Sequence, residues 1–285
     1  KVNIFVGSGL ELSTSITEAA GGIFEGATNA GDTAASASTA GIADVSDTAN
    51  NASVVGNSVG AQTLNLVGPE GTTTAAIAAN ATAQSIVTSV NNVSATTGIE
   101  ATAETTATLS GLDEGGTVTF SLLGQNSTAV SISGTVTTAD YTDLMTAIND
   151  QTGNTGISAA MGSANNELIL TNSEGYNIDI RDFTHSAAAG MSSTSSTGTE
   201  TEITVTGGGG DSVKLYDGGL VNEGQDSTVV GGVVTFSATS SFQVSSNVAG
   251  GASTSGGSSS LFSGAANSAN TSTLSAVNSI DISTR

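Results

Sequence analysis

Residues 96–103 read TTGIEATA and residues 154–161 read NTGISAAM, an offset of 58 positions between Gly98 and Gly156. The same offset sets Ile86 against Leu144, Val87 against Met145, Val90 against Ile148, Asn91 against Asn149, Ile99 against Ile157 and Ala101 against Ala159. A match that runs ungapped through a helix, its stop and the next strand describes a duplicated supersecondary unit. The fold must therefore accommodate two copies of one β/α module.

Local periodicity shows what each copy contains. In TVTFSLL, residues 117–123, Val118, Phe120 and Leu122 alternate with polar residues, the period of a strand with one buried face. After the turn GQNS, TAVSISG alternates again through Val130 and Ile132, which predicts a hairpin. Tyr141, Leu144, Met145 and Ile148 then form one apolar stripe, predicting a helix of about three turns with Thr138 as its N-cap. Gly156 supplies the left-handed stop, and NELILTNS and YNIDIRDF read as strands. The earlier copy repeats the order with QTLNLVG, a PEGT turn, TTAAIAA and a helix presenting Ile86, Val87, Val90 and Val93.

Helix signals stop beyond residue 195. TEITVTGGGG, DSVKLYDGG, STVVGGVVTFSA and SSFQVSSN are strand candidates separated by Gly and Ser turns. KVNIFVGSGLELS is strand-like, whereas residues 26–51 show no dependable period. The chain divides into an incoming segment (1–60), a first module (61–115), a second module (116–195), a β-rich segment (196–250) and an outgoing segment (251–285). The expected class is α+β, dominated by β-structure.

Charge excludes two partner classes. The chain holds 4 Lys and Arg against 25 Asp and Glu, a formal net charge of -21, so it has no cationic patch for nucleic acid or for an anionic membrane. No apolar run is long enough to span a bilayer, and no signal-peptide pattern opens the chain. Cysteine is absent, which removes disulfides and thiolate chemistry. Lys1 in place of Met suggests a piece of a longer protein.

No residue is expected to be catalytic, and neither a cofactor nor a metal is expected. The single histidine, His185, has neither a second His nor a Cys beside it and reads as a polar turn residue. The stretch 207–219, GGGGDSVKLYDGG, departs from the tandem calcium-binding repeat by one position and occurs once, so a hairpin accounts for it better. Asp179 and Asp182 flank Arg181 and read as charged surface rather than as a glycosidase pair. The sequons at Asn51, Asn80, Asn92, Asn126 and Asn270 are expected by chance in so Asn-, Ser- and Thr-rich a chain.

The duplicated unit, with its helix ending in TGI.A after a β-hairpin, resembles the hook IN motif of bacterial flagellin. TFSATSSFQVSS, SLFSG and STLSAVNSIDIST are similar to the strands and exit segment that precede flagellin's carboxy-terminal helix. The long heptad helices of flagellin, which build the filament tube, are absent from these residues. The resemblance implies a secreted, extracellular location and a structural role: the exposed outer region of a flagellar filament subunit, serving motility. Its partners would be other flagellin subunits, with surface glycans or host receptors as further candidates, and the isolated fragment should be monomeric. A cap or hook-associated protein, or a secreted adhesin or glycan-binding module, is the alternative.

Overall fold

The computed structural model describes residues 10–12, 56–57, 59–188, 201–210, 212–217, 226–249, 260–262 and 265–272. Strand makes up 48% and helix 15%, so the protein is α+β and β-dominated.

The first unit opens with the hairpin β2 (Gln62–Val67) and β3 (Thr72–Ile77), following a short β1 (Leu10–Leu12). Two helical pieces follow, α1 (Ala83–Asn91) and α2 (Ser94–Thr97), and then the long strand β4 (Ile99–Ser110). The second unit repeats this order. Its hairpin is β5 (Gly116–Leu123) with β6 (Val130–Val136), its helices are α3 (Thr142–Asn149) and α4 (Thr152–Thr155), and its following strand is β7 (Ser158–Met161). Strands β8 (Glu167–Asn172) and β9 (Ile178–His185) complete it locally. The remaining strands are β10 (Thr201–Gly207), β11 (Ser212–Asp217), β12 (Thr228–Val230), β13 (Val233–Ala238), β14 (Gln243–Ser246) and β15 (Asn270–Thr271).

Each predicted apolar stripe faces a core. Val118, Phe120 and Leu122 on β5, and Leu144 and Ile148 on α3, lie in one buried cluster. Leu64, Leu66, Ile86 and Val90 lie in another. α3 is shorter than the predicted three turns, and in both copies the helix breaks and restarts as a four-residue turn. Gly98 and Gly156 end those turns with φ of 67° and 70°, the left-handed conformation that glycine adopts without steric cost.

Thr138 is not the N-cap of α3. Thr137 and Asp140 close a bridged turn by mutual backbone bonds of 3.0 and 3.3 Å, which postpones the helix to Thr142. Asp140 Oδ1 instead accepts from the Thr142 backbone N–H at 2.9 Å and its hydroxyl at 2.6 Å. Tyr141 is buried, and its hydroxyl oxygen accepts from the Leu112 N–H at 3.0 Å.

Strand pairing shows how the units are connected. In the second unit β7 pairs with β8, setting Ala159 opposite Leu170, and β5 pairs with β9, setting Leu122 opposite Ile180. In the first unit the same two places are filled from far along the chain. Phe236 of β13 lies opposite Ala101, and Val244 of β14 lies opposite Leu66. The pair β13–β14 therefore does for the first unit what β8–β9 does for the second. Everything between Glu104 and Val233 is threaded into the first unit as a guest into a host.

The stretch STVVGGVVTFSA, read as one strand, is two. Thr228–Val230 pairs with β9 in the guest and Val233–Ala238 with β4 in the host. The break falls at Gly231–Gly232, where a Cβ on Gly232 would strike Thr105 Oγ1 and lie 2.8 Å from Ala83 Cβ. Strand β4 spans both units: residues 99–104 pair with β13, and residues 105–110 with β8. The outgoing residues 273–285 lie outside the described residues.

Candidate functional site

The residues common to both copies build one corner, twice. Asn149 Oδ1 accepts from the Ala159 N–H at 2.8 Å and its Nδ2 donates to the Ala159 carbonyl at 2.9 Å. Asn91 makes the same pair of bonds with Ala101, at 2.7 and 3.0 Å. Thr97 Oγ1 accepts from the Ile99 N–H at 3.1 Å, and Thr155 Oγ1 from the Ile157 N–H at 3.1 Å. The carbonyls of Thr97 and Thr155 accept from the N–H of Glu70 and Gln125, fastening the hairpin turn to the helix end. Periodicity picks out the apolar members of this corner. The polar clamps could be found only by asking why Asn91 and Asn149 share the offset.

The polar residues with chemical potential are engaged elsewhere. His185 is the last residue of β9 and is buried, not a residue of an exposed turn. The bend that β9 makes at Asp182, φ 55° with a shift of register against β5, turns the strand end inward. The His185 N–H donates to Asp217 Oδ2 at 2.5 Å, Nδ1 accepts from the Ala187 N–H at 3.2 Å, and Nε2 is buried without a partner. Burial raises the Asp217 carboxyl above its ordinary value, against the lowering effect of the bond from His185.

Asp179 is not open charged surface. Its side chain is 13% exposed and holds the Arg181 guanidinium through bonds of 3.0, 3.1 and 2.5 Å. Burial is the larger influence on Asp179 and raises its carboxyl, with Arg181 opposing. Asp182 is exposed at the bulge, its N–H donating to Ser227 Oγ at 3.1 Å. Strands β10 and β11 pair antiparallel on either side of the glycine run, with the Gly210 N–H donating to the Gly207 carbonyl at 2.9 Å.

Among the sequons, Asn126 is committed to its turn. Its Oδ1 accepts from the Gly124 N–H at 2.7 Å and its Nδ2 donates to the Thr128 carbonyl at 2.6 Å. Asn270 donates to the Val244 carbonyl at 3.2 Å, Asn80 and Asn92 are exposed, and Asn51 lies outside the described residues. Among the described residues no three His, Cys, Asp or Glu gather to hold a metal, and no helix is long and apolar enough to cross a membrane.

A cleft of about 330 Å³ lies beside the host's corner. Glu70 from the β2–β3 turn, Ser94 and Gly98 from α2 and its cap, Glu100 from β4, and Ala238 and Thr239 from the end of β13 line it. In the guest, the amide of Asn172 occupies the matching position, and its Nδ2 donates to the Gly156 carbonyl at 3.1 Å.

The sequence matches no protein-family model and no curated protein. Among solved structures it is similar to the D2–D3 domains of the flagellar cap protein FliD from Escherichia coli. The identity is 12% and the TM-score 0.17, over 51% of this chain and 96% of that one. A TM-score of 0.17 does not define a common fold.

Proposed function

We propose that this chain is a structural element of the bacterial flagellum, the exposed outer region of a filament subunit, without catalytic activity. The observation that supports this most is the corner itself. Thr, Gly, Ile and Ala of the TGI.A signature, on which the resemblance to flagellin rests, each have a mechanical role in both copies. The Thr hydroxyl accepts from the next strand, Gly turns the chain, and Ile is buried; the Ala backbone is clamped by Asn. A motif spent on fastening a helix to a strand suits a load-bearing surface module better than an enzyme.

The surface suits dense extracellular packing, because a net charge of -21 keeps neighbouring copies soluble and apart. The test is removal of residues 1–285 from the intact subunit, with the flanking sequence rejoined. Electron microscopy should show filaments that still assemble but are thinner and smoother. Loss of filaments despite normal export of the shortened subunit would refute an outer, dispensable position. The isolated chain should run as a monomer in light scattering.

A further inference from the structure

The two units differ where they should match, at the cleft. In the guest, a Cβ placed on Gly156 would lie 2.9 Å from Gln125 Cδ and 3.2 Å from Asn172 Nδ2, so amides from two directions fill the corner. In the host, the three atoms nearest a Cβ on Gly98 all belong to Pro69 and Glu70, from the hairpin turn. The strand registers explain the difference. Phe236 is to Ala101 what Leu170 is to Ala159, so two residues further on Ala238 stands in the place of Asn172. Alanine has no side-chain donor, and Ala238 lines the cleft together with Gly98.

The charge changes with the shape. The Glu70 N–H donates to the Thr97 carbonyl as the Gln125 N–H does to that of Thr155, although in chain order Pro69, after Gly68, corresponds to Gln125, after Gly124. Glu100 occupies the position of Ser158, one residue before the clamped alanine. Ser158 of the guest is thus a carboxylate in the host, and Glu70 lines the same cleft, beside the place that the Asn172 amide fills in the guest. Among the described residues both cations, Arg181 and Lys214, are engaged in their own ion pairs, at 2.5 and 2.6 Å.

The geometry points to a binding site for a guanidinium, the side chain of an arginine presented by another molecule. Its planar N–H donors stand in for the Asn172 amide at the Gly98 carbonyl, and its charge is met by Glu70 and Glu100. Arginine fits better than lysine because the vacancy left by Asn172 is that of a flat, forked donor rather than of a point charge.

The probe is Nα-acetyl-L-arginine amide, added to the uniformly 15N-labelled 285-residue chain. The amide signals of Gly98 and Glu100 should shift and saturate, while those of Gly156 and Ser158 stay in place. The lysine analogue should bind more weakly, and the neutral citrulline analogue should leave the spectrum unchanged. Ala238→Asn copies the guest's own filling into the host and should abolish the shifts. Glu100→Ser, which leaves β13 untouched, should weaken binding by on the order of fivefold, as should raising the salt. Absence of arginine shifts at Gly98, equal shifts from citrulline, or binding unaltered by Glu100→Ser would each overturn the assignment.

Discussion

Leu144→Ala and Ile86→Ala make a matched pair that tests the nested connection. Both side chains are fully buried at equivalent points of α3 and α1, each in its own core. Truncation should cost each unit about 3–4 kcal/mol, the transfer of the lost atoms plus the cavity left behind. The consequences should nevertheless be unequal. The guest is continuous in sequence, so unfolding the host removes few of its contacts. The host must close across the guest, from Glu104 to Val233. With the guest folded, β4 continues directly from one unit into the other. With it unfolded, a loop on the order of 130 residues must be closed, at about 4 kcal/mol. That is a large share of an ordinary domain stability of about 5–15 kcal/mol. Hydrogen exchange read by mass spectrometry separates the cases. Leu144→Ala should speed exchange in β5 and β9 of the guest and also in β2 and β14 of the host. Ile86→Ala should speed exchange in β2 and β14 alone. Equal loss of protection in both units from Ile86→Ala, or loss confined to the guest from Leu144→Ala, would refute the argument.

Asn149→Ala removes both bonds to Ala159, and at about 1 kcal/mol net for each should lower stability by about 1–2 kcal/mol in urea titrations, with Asn91→Ala behaving alike. Gly124→Ala should be worse, at least about 2 kcal/mol, because the new methyl would collide with the Thr155 carbonyl that accepts from Gln125; a neutral result would mean that the turn is not seated on the helix end. Burial raises the carboxyls of Asp179 and Asp217, so the folded chain keeps those protons to higher pH than the unfolded chain. Their contribution is present in acid and fades as pH climbs from the ordinary carboxylate value through the raised one. Asp217→Asn should therefore reduce the fall in urea midpoint as pH rises above the ordinary carboxylate value, and an unchanged profile would count against a buried Asp217. Asp140, lowered first by the bond from the Thr142 hydroxyl, acts in the opposite direction and loses its contribution as pH falls through its lowered value. Chelator treatment should leave the melting temperature unchanged, since no three His, Cys, Asp or Glu gather among the described residues, and a drop of several degrees would reveal a bound metal.

The sequence alone determined what is local. The alternation in TVTFSLL, the stripe through Leu144 and Ile148, and the left-handed Gly98 and Gly156 all depend on neighbours within a turn or a pleat, so residue order suffices to state them. The offset of 58 made the duplication legible for the same reason. Tertiary structure decided which strands finish each unit. Nothing in VVTFSA says that Phe236 pairs with Ala101, far upstream, because strand pairing is satisfied through backbone groups that every residue carries. The burial of His185 and of the Asp179–Arg181 pair was equally out of reach, since it depends on the bulge at Asp182 and on β12 arriving from beyond residue 225. The cleft is the clearest case. Glu70, Glu100 and Ala238 lie far apart in the chain and carry no motif. Only the register that puts Ala238 where the other unit has Asn172 turns them into a vacancy, because a space is defined by what several distant segments leave unfilled.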